Sequence, residues 1–357
     1  MGQSPDGSTY SDEPSDYILV QGNADLQNGW VCPRIWTTQI TKKADAGDLI
    51  MSVRAPAGAM GKTAYNAVIG RGVAAIKGNE FIYQLLVKMD ADGFWKTLSC
   101  GSTFESLNSD NIKNAEVKIP TTAEQIKIGG YFQQLDNLIT LHQRKFEKLT
   151  NVKKSMLEKM FPQNGSSYPE IRFKGFTDPW EQRKLGEVAT FINGRAYSQP
   201  ELLSSGKYKV LRVGNFYTND SWYYSDLELG EKYYADYGDL LYTWSATFGP
   251  HIWLGDRVIY HYHIWKINLS DQLEKQFAVQ LLEQDRANIL SSKNGSTMVH
   301  ITKEGMEQKD VIIPPSTKEQ QEIGAFFLQL DNLITLHQRE LEKLQSIKKA
   351  LLEKMFV

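Results

Sequence analysis

The feature that most constrains this chain is a long internal repeat. Residues 124–161 and 319–356 are identical at about 26 of 38 positions at a constant offset, and both contain the unbroken run QLDNLITLHQR. Weaker matches continue upstream, where Gly101-Ser102-Thr103 matches Gly295-Ser296-Thr297 and Gly47-Asp48-Leu49 matches Gly238-Asp239-Leu240. The chain is therefore a tandem duplication in which one part stayed nearly fixed while the other diverged.

The fixed part has the periodicity of a coiled-coil helix. Apolar residues and one histidine recur at alternating four- and three-residue spacing in each copy, with one break at Lys153 and Lys348. The central seam positions are Leu135, Ile139, His142 and Leu149 in the first copy and Leu330, Ile334, His337 and Leu344 in the second. Thr122 with Gln125, and Thr317 with Gln320, predict a capping box at each helix start. Each helix should be roughly 55 Å long.

The simplest way to bury the apolar stripe of each long helix is to pack it against the equivalent helix of the other repeat. Two equal units in one chain predict a pseudo-two-fold relation and an antiparallel coiled coil. The variable regions are strand-rich: strands are predicted at Arg257–Asn268 and Leu240–Trp244, and an amphipathic helix at Glu274–Leu290. The expected fold class is α+β, with two mixed, strand-rich domains separated by two long helices. The predicted divisions are 1–120 (first variable domain), 121–161 (first helix), 162–179 (exposed linker), 180–315 (second variable domain) and 316–357 (second helix).

Composition narrows the function classes. The net charge of −2 counts mildly against a protein that binds DNA alone by neutralising phosphates. No apolar run is long enough to span a membrane, and no secretory signal is visible. The two cysteines, Cys32 and Cys100, are too few for a disulfide framework and are expected to be small buried side chains. We expect a cytoplasmic protein.

Motifs for catalysis are weak. Gly61-Lys62-Thr63 ends like a phosphate-binding loop, but Pro56 occupies the position where that loop needs glycine. His261 and His263 would share a strand face without an evident third metal ligand. His142 and His337 occupy equivalent seam positions, which favours a role in helix register over catalysis. These patterns favour a protein that recognises a ligand over one that catalyses a reaction.

The chain consists of a variable domain, a helix with the pattern EQ…IG..F..LDNLITLHQR, a second variable domain and the same helix again. This order resembles that of the specificity subunits of type I restriction-modification systems. Residues 169–188 also resemble the segment between repeats in that family, so the resemblance covers almost the whole chain. It implies two target-recognition domains that each read one half of a bipartite double-stranded DNA site. It further implies helices that set the gap and dock methylation subunits, with restriction subunits joining that core. S-adenosylmethionine, ATP and Mg²⁺ would then belong to those partner subunits, and this chain would bind no cofactor and catalyse nothing.

Direct reading of bases needs polar or cationic side chains on loops that reach the grooves. Most predicted DNA-binding residues follow equivalent strands in the two halves: Asn23, Ser52, Arg54 and Lys62 in the first, and Asn215, Thr243, Ser245 and Thr247 in the second. Arg195, at the opening of the second domain, is also predicted to bind DNA. Outward helix positions are predicted to contact partner subunits: Gln143, Arg144, Lys148 and Lys154, with their mates Gln338, Arg339, Lys343 and Lys349. A merely solvated surface is the competing interpretation of both sets.

One departure from a symmetric repeat concerns the first domain. Trp180–Ile192 precedes Gly194 in the second half, and Gly2 aligns with Gly194, so the first half has no counterpart to that stretch. We expect a first domain that is shortened at its N-terminus and is less stable or completed by another chain. Two alternatives stay open for the whole chain: a structural coiled-coil scaffold with two protein-binding heads, and a nucleotide enzyme that uses Gly61-Lys62-Thr63.

Overall fold

The computed structural model describes residues 1–98, 106–163, 165–217, 219–245, 247–291 and 301–356. The chain divides into two compact units: unit 1 is Met1–Phe146 with Leu336–Val357, and unit 2 is Glu147–Thr335. Each unit therefore combines one variable region with a piece of both long helices. The Gly-Ser-Thr matches at 101–103 and 295–297, and Cys100, lie outside the described residues.

The described part of unit 1 contains ten short strands and three short helices before the first long helix. Strands β1 to β10 are Tyr10–Ser11, Tyr17–Val20, Leu26–Gln27, Trp30–Val31, Ile35–Thr37, Lys43–Ala44, Leu49–Ser52, Met60–Lys62, Ala67–Ile69 and Val73–Ile76. Helices α1 to α4 are Glu80–Ala91, Phe94–Leu98, Ser109–Lys113 and Thr122–Lys159. The strands form two mixed sheets, in the orders β1-β5-β2-β9-β6 and β10-β7-β8-β4-β3. The strand β10 is thus an edge of the second sheet.

Unit 2 repeats this plan with one addition at its start. Strands β11 to β20 are Glu181–Lys184, Ala189–Asn193, Tyr208–Leu211, Tyr223–Ser225, Tyr234–Ala235, Leu240–Thr243, Gly249–Ile252, Val258–Tyr260, Ile264–Leu269 and Asp310–Ile313. Helices α5 to α8 are Leu185–Val188, Lys275–Ser291, Lys303–Glu307 and Thr317–Met355. The sheet orders are β12-β19-β16-β17 and β14-β13-β18-β15, with β11 and β20 as a separate antiparallel pair. These sheets confirm the predicted α+β class.

The match of Gly47-Asp48-Leu49 to Gly238-Asp239-Leu240 corresponds to one shared turn. Gly47 and Gly238 adopt left-handed φ angles of 94° and 87°, which glycine alone adopts at little cost. The carboxylate of Asp48 accepts the Asp45 N–H, and that of Asp239 accepts the Asp236 N–H, at 2.9 and 2.8 Å. The Gly-Asp-Leu tripeptide is therefore the start of an equivalent buried strand in each unit.

Segments of the two long helices pack antiparallel within each unit. In unit 1, Asp136 meets Lys348 at 2.6 Å and His142 meets His337 further along α4. In unit 2, Lys153 meets Asp331 at 2.6 Å. The lysines that break the apolar periodicity are therefore cations of matching interhelix ion pairs. Of the eight central seam residues, Leu135 and Leu330 are buried and the other six are half-buried, as a seam between the helices requires.

Three local predictions were wrong. The helices begin at Thr122 and Thr317, so these threonines are first helical residues and not caps, and Gln125 and Gln320 instead donate to the carbonyls of Pro120 and Pro314. The predicted strand Arg257–Asn268 is two strands, β18 and β19, which lie in different sheets on either side of a turn at residues 261–263. Cys32 is exposed rather than buried.

Candidate nucleic-acid interface

In unit 1 the loop after β7 lies beside the turn between β9 and β10. The backbone N–H of Val53 donates to the carbonyl of Gly72 at 2.8 Å. A Cβ at position 72 would lie 2.0 Å from the carbonyl oxygen of Gln21, so this approach requires glycine. Arg54 follows Val53, Arg71 precedes Gly72, and both side chains are exposed. Two exposed guanidinium groups therefore flank one backbone contact, and guanidinium is the group that pairs best with the acceptors of guanine in the major groove.

Unit 2 makes the same contact with different side chains. The backbone N–H of Trp244 donates to the carbonyl of His263 at 3.2 Å, and the Trp244 indole donates to the carbonyl of Tyr262 at 2.9 Å. Ser245 follows Trp244, while Tyr262 is 39% exposed at the tip of the turn. The loop and the turn are thus shared by the two units, and the side chains that they present are not.

Arg195 lies beside the same turn in unit 2. Its backbone N–H donates to Tyr260 and its carbonyl accepts from Tyr262, both at 3.1 Å. One guanidinium nitrogen, Nη2, binds Glu201 at 2.6 Å and holds the pKa of that carboxyl down to about 2, while the other, Nη1, is buried without a hydrogen-bond partner. A buried donor without a hydrogen-bond partner is costly, and Nη1 is not accessible to a ligand in this conformation.

The histidines around this turn are uncharged at neutral pH. Burial, followed by the charges of His263 and Arg212, lowers the pKa of His261 to about 4. Burial and the nearby Arg286 lower the pKa of His251 to about 4 as well, and the Nε2 atom of His251 lies 3.1 Å from the Tyr217 hydroxyl. This surface can therefore recognise a ligand by hydrogen bonding and ring contacts, whereas the unit 1 surface presents positive charge.

Three of the predicted DNA-binding residues, Ser52, Lys62 and Thr243, are buried, which contradicts their prediction. Ser52 and Thr243 are the last residues of β7 and β16 and are 0% exposed. Lys62 ends β8 rather than standing on a loop, with its Nζ atom 2.8 Å from Glu80 and over the rings of Trp30 and Tyr83. These side chains cannot reach a base while the units keep this fold. The burial of Lys62 also leaves Gly61-Lys62-Thr63 in a strand end and not in a phosphate-binding loop.

The remaining predicted DNA-binding residues differ in how accessible their side chains are to a ligand. Asn215 caps a short turn, since it accepts from Arg212 N–H and donates to the carbonyls of Asn219 and Ser221. Asn23 begins the equivalent turn and is half-buried. Ser245 is half-buried and Thr247 is exposed, both in the loop after β16. Base contact by Arg54, Arg195, Ser245 or Thr247 is compatible with these positions and stays a prediction.

Sequence reasoning missed Arg71 and Tyr262, the residues at the tips of the two equivalent turns. The strand-like alternation of Arg257–Asn268 concealed the turn at Tyr262. The signal that could have found it is the match of that stretch to Ile69-Gly70-Arg71-Gly72-Val73, where two glycines mark a turn.

The outer faces of the two long helices present many of the same exposed residues in both repeats. Of the eight residues predicted to contact partners, Gln143 is half-buried and the other seven are exposed. Leucines that are identical in the two copies are also exposed: Leu138 (46%), Leu141 (45%) and Leu336 (50%) in unit 1, and Leu333 (44%) in unit 2. The helix seam does not require these leucines, since they face away from it. Contact of this face with a partner stays a prediction.

The described residues contain neither of two kinds of feature, a membrane-crossing helix or a metal site. No helix among them is both long and apolar enough to cross a bilayer. No group of three or more His, Cys, Asp or Glu side chains among them is arranged to hold a metal ion.

Comparison with known proteins gives consistent matches. The family model described as "Type I restriction modification DNA specificity domain" matches residues 12–151 and 177–346. In Methanocaldococcus jannaschii, the type I restriction enzyme MjaIX specificity subunit is 25% identical over 332 residues, covering 87% of this chain and 76% of that protein. The MjaVIII specificity subunit is 23% identical over 291 residues, covering 76% and 67%. A shorter match to the sequence assigned as the MjaX specificity subunit is 28% identical over 165 residues and spans 44% of this chain but only 38% of that relative.

Solved structures show the same fold. A crystal structure of the S subunit of a type I restriction-modification system from M. genitalium has a TM-score of 0.69 at 15% identity, covering all of this chain and 92% of that one. A chain from a structural study of complex assembly and conformational transition in a type I system has a TM-score of 0.52 at 16% identity, covering 98% and 91%.

Proposed function

Because this chain belongs to the family of type I restriction modification DNA specificity domains, we propose that it reads a bipartite DNA site, with one half-site for each unit. The observation that carries the proposal is the contrast between shared scaffold and divergent tips. Both units build the same loop-and-turn contact, yet one presents Arg54 and Arg71 and the other Ser245 and Tyr262. Divergent tips on a constant frame are what reading two unlike half-sites requires.

The chemistry of the tips favours DNA over a protein ligand. Arginine reads guanine through paired hydrogen bonds in the major groove, and serine, threonine and tyrosine donate to bases or phosphates. The chain has no net positive charge, so it is suited to bind DNA together with subunits that supply cationic surface. This favours DNA recognition within a complex over recognition by the isolated chain.

The exposed helix face is the proposed dock for methylation subunits, with restriction subunits joining them. Exposed leucines beside arginine and lysine side chains combine apolar area with polar anchors, as protein interfaces do. Their presence at equivalent positions in both repeats fits one copy of the same partner on each. In this proposal the chain is non-catalytic and acts in the cytoplasm, while S-adenosylmethionine, ATP and Mg²⁺ bind to the partner subunits.

Sequencing of methylated sites in cells that carry the chain with its methylation subunits tests this proposal. A bipartite motif is expected. Arg71→Ala or Arg54→Ala should weaken discrimination at one half-site by ~1–3 kcal/mol and leave the other half-site unchanged. Lys113→Ala, which removes an exposed cation from α3 of the same unit, is the matched control and should leave the motif intact. Equal relaxation of both half-sites, or methylation without any motif, would contradict the assignment and favour a scaffold with protein-binding heads.

A further inference from the structure

The loop-and-turn tips of the two units differ in charge. In unit 1 the tip consists of Arg54 and Arg71, whose guanidinium groups are exposed and have no hydrogen-bond or ion-pair partner among the described residues. At the equivalent places unit 2 has Ser245 and Tyr262. The sugar-phosphate backbone is the same in any two half-sites, so a contact that only neutralises phosphate is needed equally in both units. The loss of charge in one unit therefore indicates that these positions contact bases.

Each guanidinium group of the unit 1 tip needs acceptors when an interface removes it from water. Guanine presents two acceptors side by side in the major groove, N7 and O6, which match two guanidinium N–H groups. Adenine places an amino donor beside its N7 atom and offers no second acceptor there. A donor that loses its water without gaining an acceptor weakens the complex. A half-site that contains guanine therefore suits the unit 1 tip better than one made of A·T pairs alone.

In unit 2 the Tyr262 ring is held in place at the protein surface. The backbone N–H of Tyr262 donates to the carbonyl of Arg195 at 3.1 Å, and its carbonyl accepts the indole N–H of Trp244 at 2.9 Å. The ring centroid lies 4.4 Å from that of His261 and 4.0 Å from that of His263. The residue is nevertheless 39% exposed. These contacts limit the motion of the ring, so a ligand that packs against it loses little binding energy to side-chain ordering.

The side chains around the Tyr262 ring offer little charge to a ligand. Burial lowers the pKa values of both neighbouring histidines, to about 4 for His261, so they are neutral at pH 7. Arg195 binds Glu201 at 2.6 Å, and the guanidinium group of Arg212 lies over the ring of Tyr223, 4.2 Å from its centroid. The thymine methyl group is the apolar feature of the major groove. An uncharged ring gains from burying that methyl group, whereas a guanidinium group would lose its water without compensation.

We propose that the half-site of unit 1 contains guanine, which Arg54 and Arg71 recognise, and that the half-site of unit 2 contains thymine, whose methyl group packs against Tyr262. This inference rests on the proposed function, because it assigns bases to the two half-sites which that function requires. The two units then recognise different chemical features from the same structural position. Unit 1 recognises a pair of hydrogen-bond acceptors, and unit 2 recognises a methyl group.

Base analogues that keep Watson–Crick pairing test this assignment in the complex with the methylation subunits. Sequencing of methylated sites first gives the motif, and the variants Arg71→Ala and Tyr262→Ala show which half-site each unit reads. In duplexes with that motif, 7-deazaguanine lacks the N7 acceptor and uracil lacks the thymine methyl group. In the unit 1 half-site, 7-deazaguanine should weaken binding at least about tenfold, because a charged donor loses its acceptor. In the unit 2 half-site, uracil should weaken binding roughly fourfold for each methyl group that is contacted.

Variants of the tips should remove these two effects separately. The double substitution Arg54→Ala and Arg71→Ala should abolish the effect of 7-deazaguanine and keep that of uracil, and Tyr262→Ala should do the reverse. Tyr262→Phe should behave like the unchanged chain, since it retains the ring. The matched control is Tyr237→Ala, which removes a 75% exposed tyrosine from the turn before β16 and should alter neither effect.

Several results would overturn this inference and leave the proposed function intact. One is a bipartite motif with no G·C pair in the unit 1 half-site or no A·T pair in the unit 2 half-site. Another is an analogue that binds as well as the natural base, or an analogue effect that persists in the corresponding alanine variant. A loss in Tyr262→Phe equal to that in Tyr262→Ala would assign the contact to the hydroxyl group and would also overturn it.

The absence of any motif would overturn the proposed function, and this inference with it. Circular dichroism of each variant excludes misfolding as the cause of weaker binding.

Discussion

Units 1 and 2 contain the same helix seam but complete their variable regions differently. Both use one aspartate and one lysine at 2.6 Å to join the helix pieces, and both place a phenylalanine pair at the junction with the sheets. Unit 2 then buries a tryptophan, a strand and a short helix over that junction, and unit 1 has no described counterpart. The comparison separates the residues that hold the two helices together from the residues that cover the junction between helices and sheets in each unit.

The strongest test of this comparison uses the two equivalent glutamates. Glu319→Gln should lower the free energy of unfolding of unit 2 by about 2–3 kcal/mol, because it leaves the largely buried Arg172 without its counter-charge. Glu124→Gln should change the stability of unit 1 by less than about 0.5 kcal/mol, as expected for an exposed side chain that has no hydrogen-bond or ion-pair partner in the described part of the chain. Hydrogen exchange resolves the two units separately. Equal losses in both would show that Glu124 has a partner that the comparison misses.

Acidification should lower the stability of unit 2 by an intermediate amount. His251 and His261 of unit 2 have pKa values lowered to about 4, so the folded unit binds fewer protons than the unfolded chain below pH 6.5. Their stabilising effect is complete above the unfolded pKa and is lost as the pH falls from about 6.5 towards 4. Between pH 7 and about 5.5, unit 2 should lose on the order of 1–2 kcal/mol after allowance for partial exposure.

Unit 1 provides the contrast for this titration. Its variable region contains no histidine, and its histidine pair lies in the helix seam. Burial and the charge of His142 lower the pKa of His337, so a smaller loss of the same sign is expected there. Replacement of His251 and His261 by glutamine should remove most of the pH dependence of unit 2. A pH profile that is identical in the two units would contradict this assignment.

The smallest expected effect is the coupling energy of the interhelix ion pairs, which should be the same in the two units. The pairs Asp136–Lys348 and Asp331–Lys153 are partly exposed, with side-chain exposures of 24% and 19% in the first and 36% and 20% in the second. Double-mutant cycles with Asp→Asn and Lys→Met should give coupling energies of about 0.5–1 kcal/mol for each pair. Urea unfolding followed by hydrogen exchange measures both. A coupling present in one unit alone would show that the two seams are not equivalent.

The helices and the duplication were predictable from sequence because their signals are local and repeated. The 4–3 spacing predicted the seam, and the match of residues 124–161 to 319–356 predicted two equivalent units. The breaks at Lys153 and Lys348 were visible, but their meaning was not. An ion pair between residues far apart in the chain leaves no local pattern, so its partner could not be assigned from spacing.

The candidate interface was less predictable for physical reasons. Lys62 reads as a loop cation, yet Glu80 and two aromatic rings hold it in the core. Tyr262 was hidden because strand-like alternation continues through the turn at 261–263, where the chain leaves one sheet for another. Burial and sheet membership are decided by distant residues, so local alternation could not reveal them.

The reciprocal ion pairs have a consequence for how such helices can change length. Asp136 and Lys153 on α4 have the same separation as Asp331 and Lys348 on α8, and each aspartate pairs with the lysine of the other helix. An insertion between the charges of one helix alone would leave at least one pair out of register. Equal lengthening of both helices would keep both pairs, whereas lengthening of one helix alone would cost about 0.5–1 kcal/mol for each pair that is lost.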